Sequence, residues 1–185
     1  MSSTTLAYRL GEPDVECRYP VVIGADMVVG LAFRWHRNWL VQDSTGEHNL
    51  GRPPKGEKGE DMAAAHLVEQ YAAGLITATK LIARGTDEET RLYGPAPLLH
   101  WRMPETDRNL AGARKAWVGV AEHLWTPLAG FPGSDNPWYL VCDLCGWAGP
   151  RYWSHLRGRN GEPPTAHRHP GCIGEDKVRE LIPAY

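Results

Sequence analysis

Four cysteines and a late run of histidines are the residues whose spacing could do chemistry. Cys142-Asp-Leu-Cys145-Gly-Trp is a Cys-x2-Cys turn followed by glycine, and His167-Arg-His169-Pro-Gly-Cys172-Ile-Gly lies downstream. A structural zinc site needs four soft or borderline ligands in a tetrahedron. Two residues between ligands let both side chains point at one ion from a tight turn. A glycine after the second ligand lets the chain fold back, so that backbone N–H groups approach the thiolate. His169-Pro-Gly-Cys172 repeats the spacing with histidine in the first place. The spacing therefore predicts Cys142, Cys145, His169 and Cys172 as ligands of one structural Zn2+. His167, with four residues between it and Cys172, is an open alternative to His169. The two pairs enclose the 23 residues from Gly146 to Arg168, slightly more than the usual spacing of about 15–20.

Other uses of these thiols are weaker. Two disulfides would suit an oxidising compartment, and Met1–Arg9 lacks the apolar stretch of a secretion signal. A redox Cys-x2-Cys normally opens a helix after a strand, and Gly146-Trp-Ala-Gly-Pro150 is a poor helix start. Cys17 lies in the strand-like run 15–19, where a small buried thiol is the expected role. His155 is a third histidine near the site, read as a packing or surface residue. The two turns resemble the knuckles of a zinc ribbon or a related small zinc finger, over residues 138–175. The resemblance implies a metal that holds a small subdomain together.

Enzymatic signatures are absent. There is no His-Glu-x-x-His, no phosphate-binding glycine loop and no Gly-x-Ser-x-Gly elbow. Nor is there the His-x-Glu that zinc deaminases place before their cysteine pair. A nuclease of the His-metal type could use His155 or His167, but it would want a second Cys-x2-Cys pair. A catalytic zinc keeps one position open for water. Three thiolates plus imidazole make a closed, electron-rich shell and a poor Lewis acid. A non-enzymatic protein is expected.

Between Gly146 and Cys172 stand Arg151, Arg157, Arg159 and Arg168 against Glu162. The whole chain carries a net charge of −2, so any attraction to phosphates is local to this loop. Arg151, Trp153, Arg157 and Arg159 are the expected contacts to nucleic acid, by ion pairing and base stacking. The alternative is a protein-interaction or inhibitor module that docks through exposed tryptophan and the 43–60 loop. The eight tryptophans and the ratio of 15 Arg to 5 Lys suit a GC-rich genome, such as that of an actinobacterium or one of its phages.

Positioning these residues needs an α+β scaffold. At 185 residues the chain suits one domain with a small appendage. β-formers predict antiparallel strands over 15–23, 27–33 and 35–42, with Trp35 and Trp39 on one face, and then a long polar loop over 43–60. Apolar residues at three- and four-residue steps predict helices over about 61–84, capped by Asp61 and stopped by Gly85, and over about 106–124. A short helix follows at 175–181. The expected organisation is an α+β domain over 1–125, a linker over 126–137 and a zinc-finger module over 138–185. No run of 18 apolar residues exists, so no membrane span is expected, and the reading is a cytoplasmic protein.

Overall fold

The computed structural model describes residues 6–81 and 95–185. The chain divides into two compact units, Met1–Arg84 and Gly85–Tyr185. It is mixed α+β, with an N-terminal antiparallel sheet, a second small sheet and four helices among the described residues.

In the first unit β1 (Tyr8–Leu10), β2 (Tyr19–Ile23), β3 (Met27–Trp35), β4 (Asn38–Asp43) and β5 (Gly46–Gly51) form an antiparallel meander in sequence order. Strand β2 starts at Tyr19 rather than at residue 15. The Asp14 carboxylate accepts the amides of Glu16 and Arg18 at 3.0 and 2.9 Å, closing a turn in which Cys17 sits at φ 58°. Cys17 is buried there, and burial with nearby Asp14 and Glu16 pushes its thiol up.

The run read as one strand over 35–42 is a hairpin corner. His36 and Arg37 both have positive φ, 46° and 71°, the backbone of a type I′ turn. Trp39 pairs with Arg34, and Trp35 with Asn38. Direct partners share a face and neighbours alternate, so Trp35 and Trp39 lie on opposite faces rather than on one. Residues 46–51, read as part of a mobile loop, are strand β5, an exposed edge paired with β4.

Helix α1 (Gly59–Ala72) packs Ala63, Ala64, Leu67 and Val68 against Val21, Ile23, Val29, Ala32 and Val41 of the sheet. It ends far earlier than its apolar periodicity suggests. The amide of Gly74 donates to Tyr71 O at 2.9 Å and that of Leu75 to Gln70 O at 3.0 Å, the paired bonds of a Schellman stop. Gly74 supplies the required φ of 71°. Asp61 is not the cap but a first-turn residue after Lys58, where its charge suits the helix dipole. The chain then turns to β6 (Thr79–Lys80), which pairs with the start of β3. The expected stop at Gly85 lies outside the described residues.

In the second unit Thr106 caps helix α2 (Asp107–Glu122), its hydroxyl accepting the Asn109 amide at 3.3 Å. Strands β7 (Trp125–Pro127), β8 (Trp138–Cys142) and β9 (Ala148–Arg151) form an antiparallel sheet in that order. The segment read as a linker, 126–137, is therefore not one. It carries β7 and buries Ala129, Phe131 and Asn136. Trp138 explains its ordering, because its ring meets Phe131 edge-on at 5.1 Å and its indole N–H donates to Ala129 O at 2.7 Å. Two short helices follow, α3 (Trp153–Leu156) and α4 (Glu175–Leu181). Among the described residues no helix is long and apolar enough to cross a membrane.

Two substitutions test this packing by urea denaturation. Leu67→Ala, at a fully buried contact between α1 and the sheet, should cost about 2–5 kcal/mol. Gly112→Ala, where an added Cβ meets nothing within 4 Å on the exposed side of α2, should stabilise by about 0.5–1 kcal/mol.

Candidate metal centre

The hairpin between β8 and β9 makes the first half of the site. Cys142 ends β8, and the amides of Cys145 and Gly146 return to its carbonyl at 3.2 and 2.8 Å. Gly146 takes φ 76°, which a side chain would resist. The second half is built the same way without a strand. The Cys172 amide donates to His169 O at 3.2 Å across Pro170-Gly171.

The two halves meet. Cys142, Cys145, His169 and Cys172 each offer one ligand atom, and these atoms lie within 4.8 Å of one another, so the group could hold a metal ion. Cys142 Sγ is 3.9 Å from Cys172 Sγ, and Cys145 Sγ is 3.1 Å from His169 Nε2. Tetrahedral zinc bonds would set sulfurs about 3.8 Å apart and sulfur to nitrogen about 3.6 Å. The first separation matches, and the second is somewhat short. Three sulfurs and one imidazole nitrogen are a soft to borderline donor set that fits such an ion.

His169 is prepared as a ligand. Its Nδ1 lies 2.9 Å from Pro170 O. A carbonyl only accepts, so Nδ1 carries the proton and Nε2 presents its lone pair to the cluster. Trp147 stacks on the ring at 4.4 Å with an 11° tilt, and Trp125 meets it edge-on at 6.3 Å. His169 is 5% exposed. His167 is exposed and outside the group, as is His155.

Electrostatics favour an anionic Cys142. Burial pushes its thiol up, but the hydrogen bonds from Arg168 and the Leu144 amide, with the nearby Arg168 charge, outweigh this and bring it to about 7. Arg168 Nε donates to Cys142 Sγ at 3.0 Å. Cys172 is pushed the other way, by burial and by Cys142 beside it. Two thiols this close do not ionise together readily, and a cation between them removes the conflict.

The residues expected to contact a partner fare differently. Trp153 is 6% exposed, and an added Cβ on Gly119 of α2 would sit 2.2 Å from its ring. It is a packing residue, and a surface role for it is corrected. Arg151 is half-buried and donates to His167 O at 3.0 Å. Arg157 and Arg159 are exposed, with Arg159 3.5 Å from Asp135. Arg168, counted in the sequence as loop charge, is buried at the centre. Its place beside a ligand was the available signal, but spacing alone does not separate it from the other arginines. Trp147 was legible only as an aromatic beside the Cys-x2-Cys turn, and nothing in the sequence pointed to Trp125.

Comparison with known protein families, with curated proteins and with solved structures finds no match.

Ligand identity is open to a direct test. His169→Ala should lose metal to a chelator far more readily than the wild type, and His167→Ala should behave as the wild type. The reverse order would exclude this geometry.

Proposed function

We propose that the chain is a non-enzymatic binding protein whose second unit is held together by one structural zinc ion. The closed donor set of Cys142, Cys145, His169 and Cys172 carries this reading. A catalytic zinc uses three protein ligands and leaves a position for water or substrate. Here four side chains converge, and three thiolates would quench the Lewis acidity of the ion. A cleft of about 410 Å³ between the 155–166 segment and α4 is lined by none of the four.

What it binds is read from its exposed aromatics. Trp101 is 69% exposed, the highest value among the exposed large apolar side chains of the described residues, and the Arg102 guanidinium lies 4.4 Å from its ring centre. Tryptophan and arginine dominate binding hot spots in protein interfaces. This favours a protein partner that takes Trp101 into a pocket. The nucleic-acid reading keeps Arg157 and Arg159 as exposed charges. It loses Trp153 and Arg168 to the interior, and an acidic neighbour offsets Arg159.

Protein purified without added metal should contain about one equivalent of zinc by elemental analysis. Absence of metal, with Cys142, Cys145 and Cys172 open to alkylation in the folded state, would overturn the structural-zinc reading.

Partner class is separable by salt and by variant. A protein partner recovered from the native host should be retained at high salt and after nuclease treatment, and lost with Trp101→Ala. Phosphate contacts instead give binding that weakens steeply with salt. In that case Arg157→Ala with Arg159→Ala would flatten the salt slope by up to about 1.8, at about 0.9 per contact on duplex DNA.

A further inference from the structure

Arg168 is 1% exposed, yet none of its hydrogen bonds goes to a carboxylate. Nε donates to Cys142 Sγ at 3.0 Å, Nη1 to His123 O at 2.7 Å and Nη2 to Leu124 O at 2.5 Å. The guanidinium lies 4.2 Å from the centre of the Trp125 ring. A guanidinium out of water needs a compensating negative charge. Among its hydrogen-bond partners, Cys142 Sγ is the one that can carry such a charge, as a metal-bound thiolate.

A divalent ion with three thiolates and a neutral imidazole has a surplus of one negative charge, which one buried guanidinium cancels. Arg151 also faces this region from β9, but it is half-exposed and gives a hydrogen bond to His167 O. Tyr185 faces both arginines, and burial pushes its hydroxyl up, so it adds no charge at neutral pH.

The other end of the fork grips a strained turn. His123 is the C-terminal cap of α2, and Leu124 follows it at φ 54°, a conformation that a non-glycine residue rarely adopts. The Leu124 carbonyl accepts from two donors, Arg168 and the Asp143 amide at 3.1 Å. Asp143 is the residue after Cys142. One side chain thus touches a ligand sulfur and both carbonyls of the turn.

We propose that Arg168 is a positioning residue of the metal centre. Its charge offsets the metal–thiolate shell, and its fork couples metal loading to the left-handed turn that ends α2. The inference rests on the zinc reading above.

The test compares the full chain as wild type, Arg168→Lys and Arg168→Gln. It uses zinc loss to a chromophoric chelator and hydrogen exchange at the amides of His123, Leu124 and Asp143. Arg168→Gln should weaken metal retention by about 10–100-fold, the usual cost of losing an outer-shell partner. Arg168→Lys keeps the charge but cannot span both carbonyls. It should hold zinc nearly as the wild type does and still exchange faster at the three amides. Chelating the wild type should speed the same amides. Unchanged retention in Arg168→Gln, or amides indifferent to chelation, would overturn the proposal. Should Arg168→Gln fail to fold, the lysine variant and the chelated wild type still decide. A wild type that neither carries nor takes up zinc or cobalt overturns the zinc reading itself, and is seen before any variant is compared.

Discussion

Three cysteine sulfurs and an imidazole nitrogen within 4.8 Å of one another repel once the thiols ionise, and gain little while protonated. Much of the second unit depends on resolving that conflict. The chain from 157 to 174 holds neither helix nor strand, so no ladder of backbone bonds fixes its path. Its apolar support is small: Ala166 buried with Val178 and Ile182 of the helix segment that follows. A buried valine or isoleucine brings about 1.5–3 kcal/mol, whereas fixing each backbone residue costs about 1–2 kcal/mol. Apolar burial alone does not offset the ordering of such a stretch. Two candidate ligands on it, His169 and Cys172, and two on the β8–β9 hairpin could, with an ion between them, make a cross-link that does not rely on burial. In small metal domains the binding free energy of the ion is folding free energy in this sense.

The surroundings follow from the same constraint. A soft, charged centre in the interior needs polarizable neighbours and a counter-charge. Trp147 covers His169, while Trp125 meets both Trp147 and His169 edge-on and carries the Arg168 guanidinium over its face. Arginine suits this place better than lysine, because its planar fork can serve a sulfur and two carbonyls at once. Those carbonyls end α2, where the helix dipole also favours a cation. The left-handed Leu124 costs about 1–2 kcal/mol, and the doubly accepted carbonyl is what the structure shows holding it.

The candidate site was the most legible part of the sequence, because its information is local. Cys-x2-Cys and His-x2-Cys spacings encode turn geometry directly, and a buried His169 against an exposed His167 agrees with the His-x2-Cys spacing. Where legibility failed, the deciding interaction was distant or the local signal misled. β5 is polar on both faces, since edge exposure removes the alternation that marks a half-buried strand. The His36-Arg37 turn lacks the Asn-Gly signature of its class. Helix α1 stops at a glycine cap although Leu75, Ala78 and Ile82 continue its apolar period, and Leu75 is in fact exposed. Arg168 looked like a loop charge because nothing nearby in sequence reveals three acceptors contributed by residues 123, 124 and 142.

Abundant tryptophan has a different meaning once placed. In the sequence it suggested a recognition surface. In the second unit Trp125, Trp138 and Trp153 are buried, Trp147 lies on a ligand, and Trp117 donates its indole N–H to Leu98 O at 3.0 Å. Indoles fill large volumes, and those of Trp117 and Trp138 also find an acceptor for their N–H. Trp101 does not fit that account. It is 69% exposed, although its ring stacks on His100 and lies beside Arg102, and most of its apolar surface faces water. The other five tryptophans of this unit are buried, stacked on a ligand or hydrogen-bonded, so the functional weight of its aromatic content falls on the one whose ring is most open to a partner.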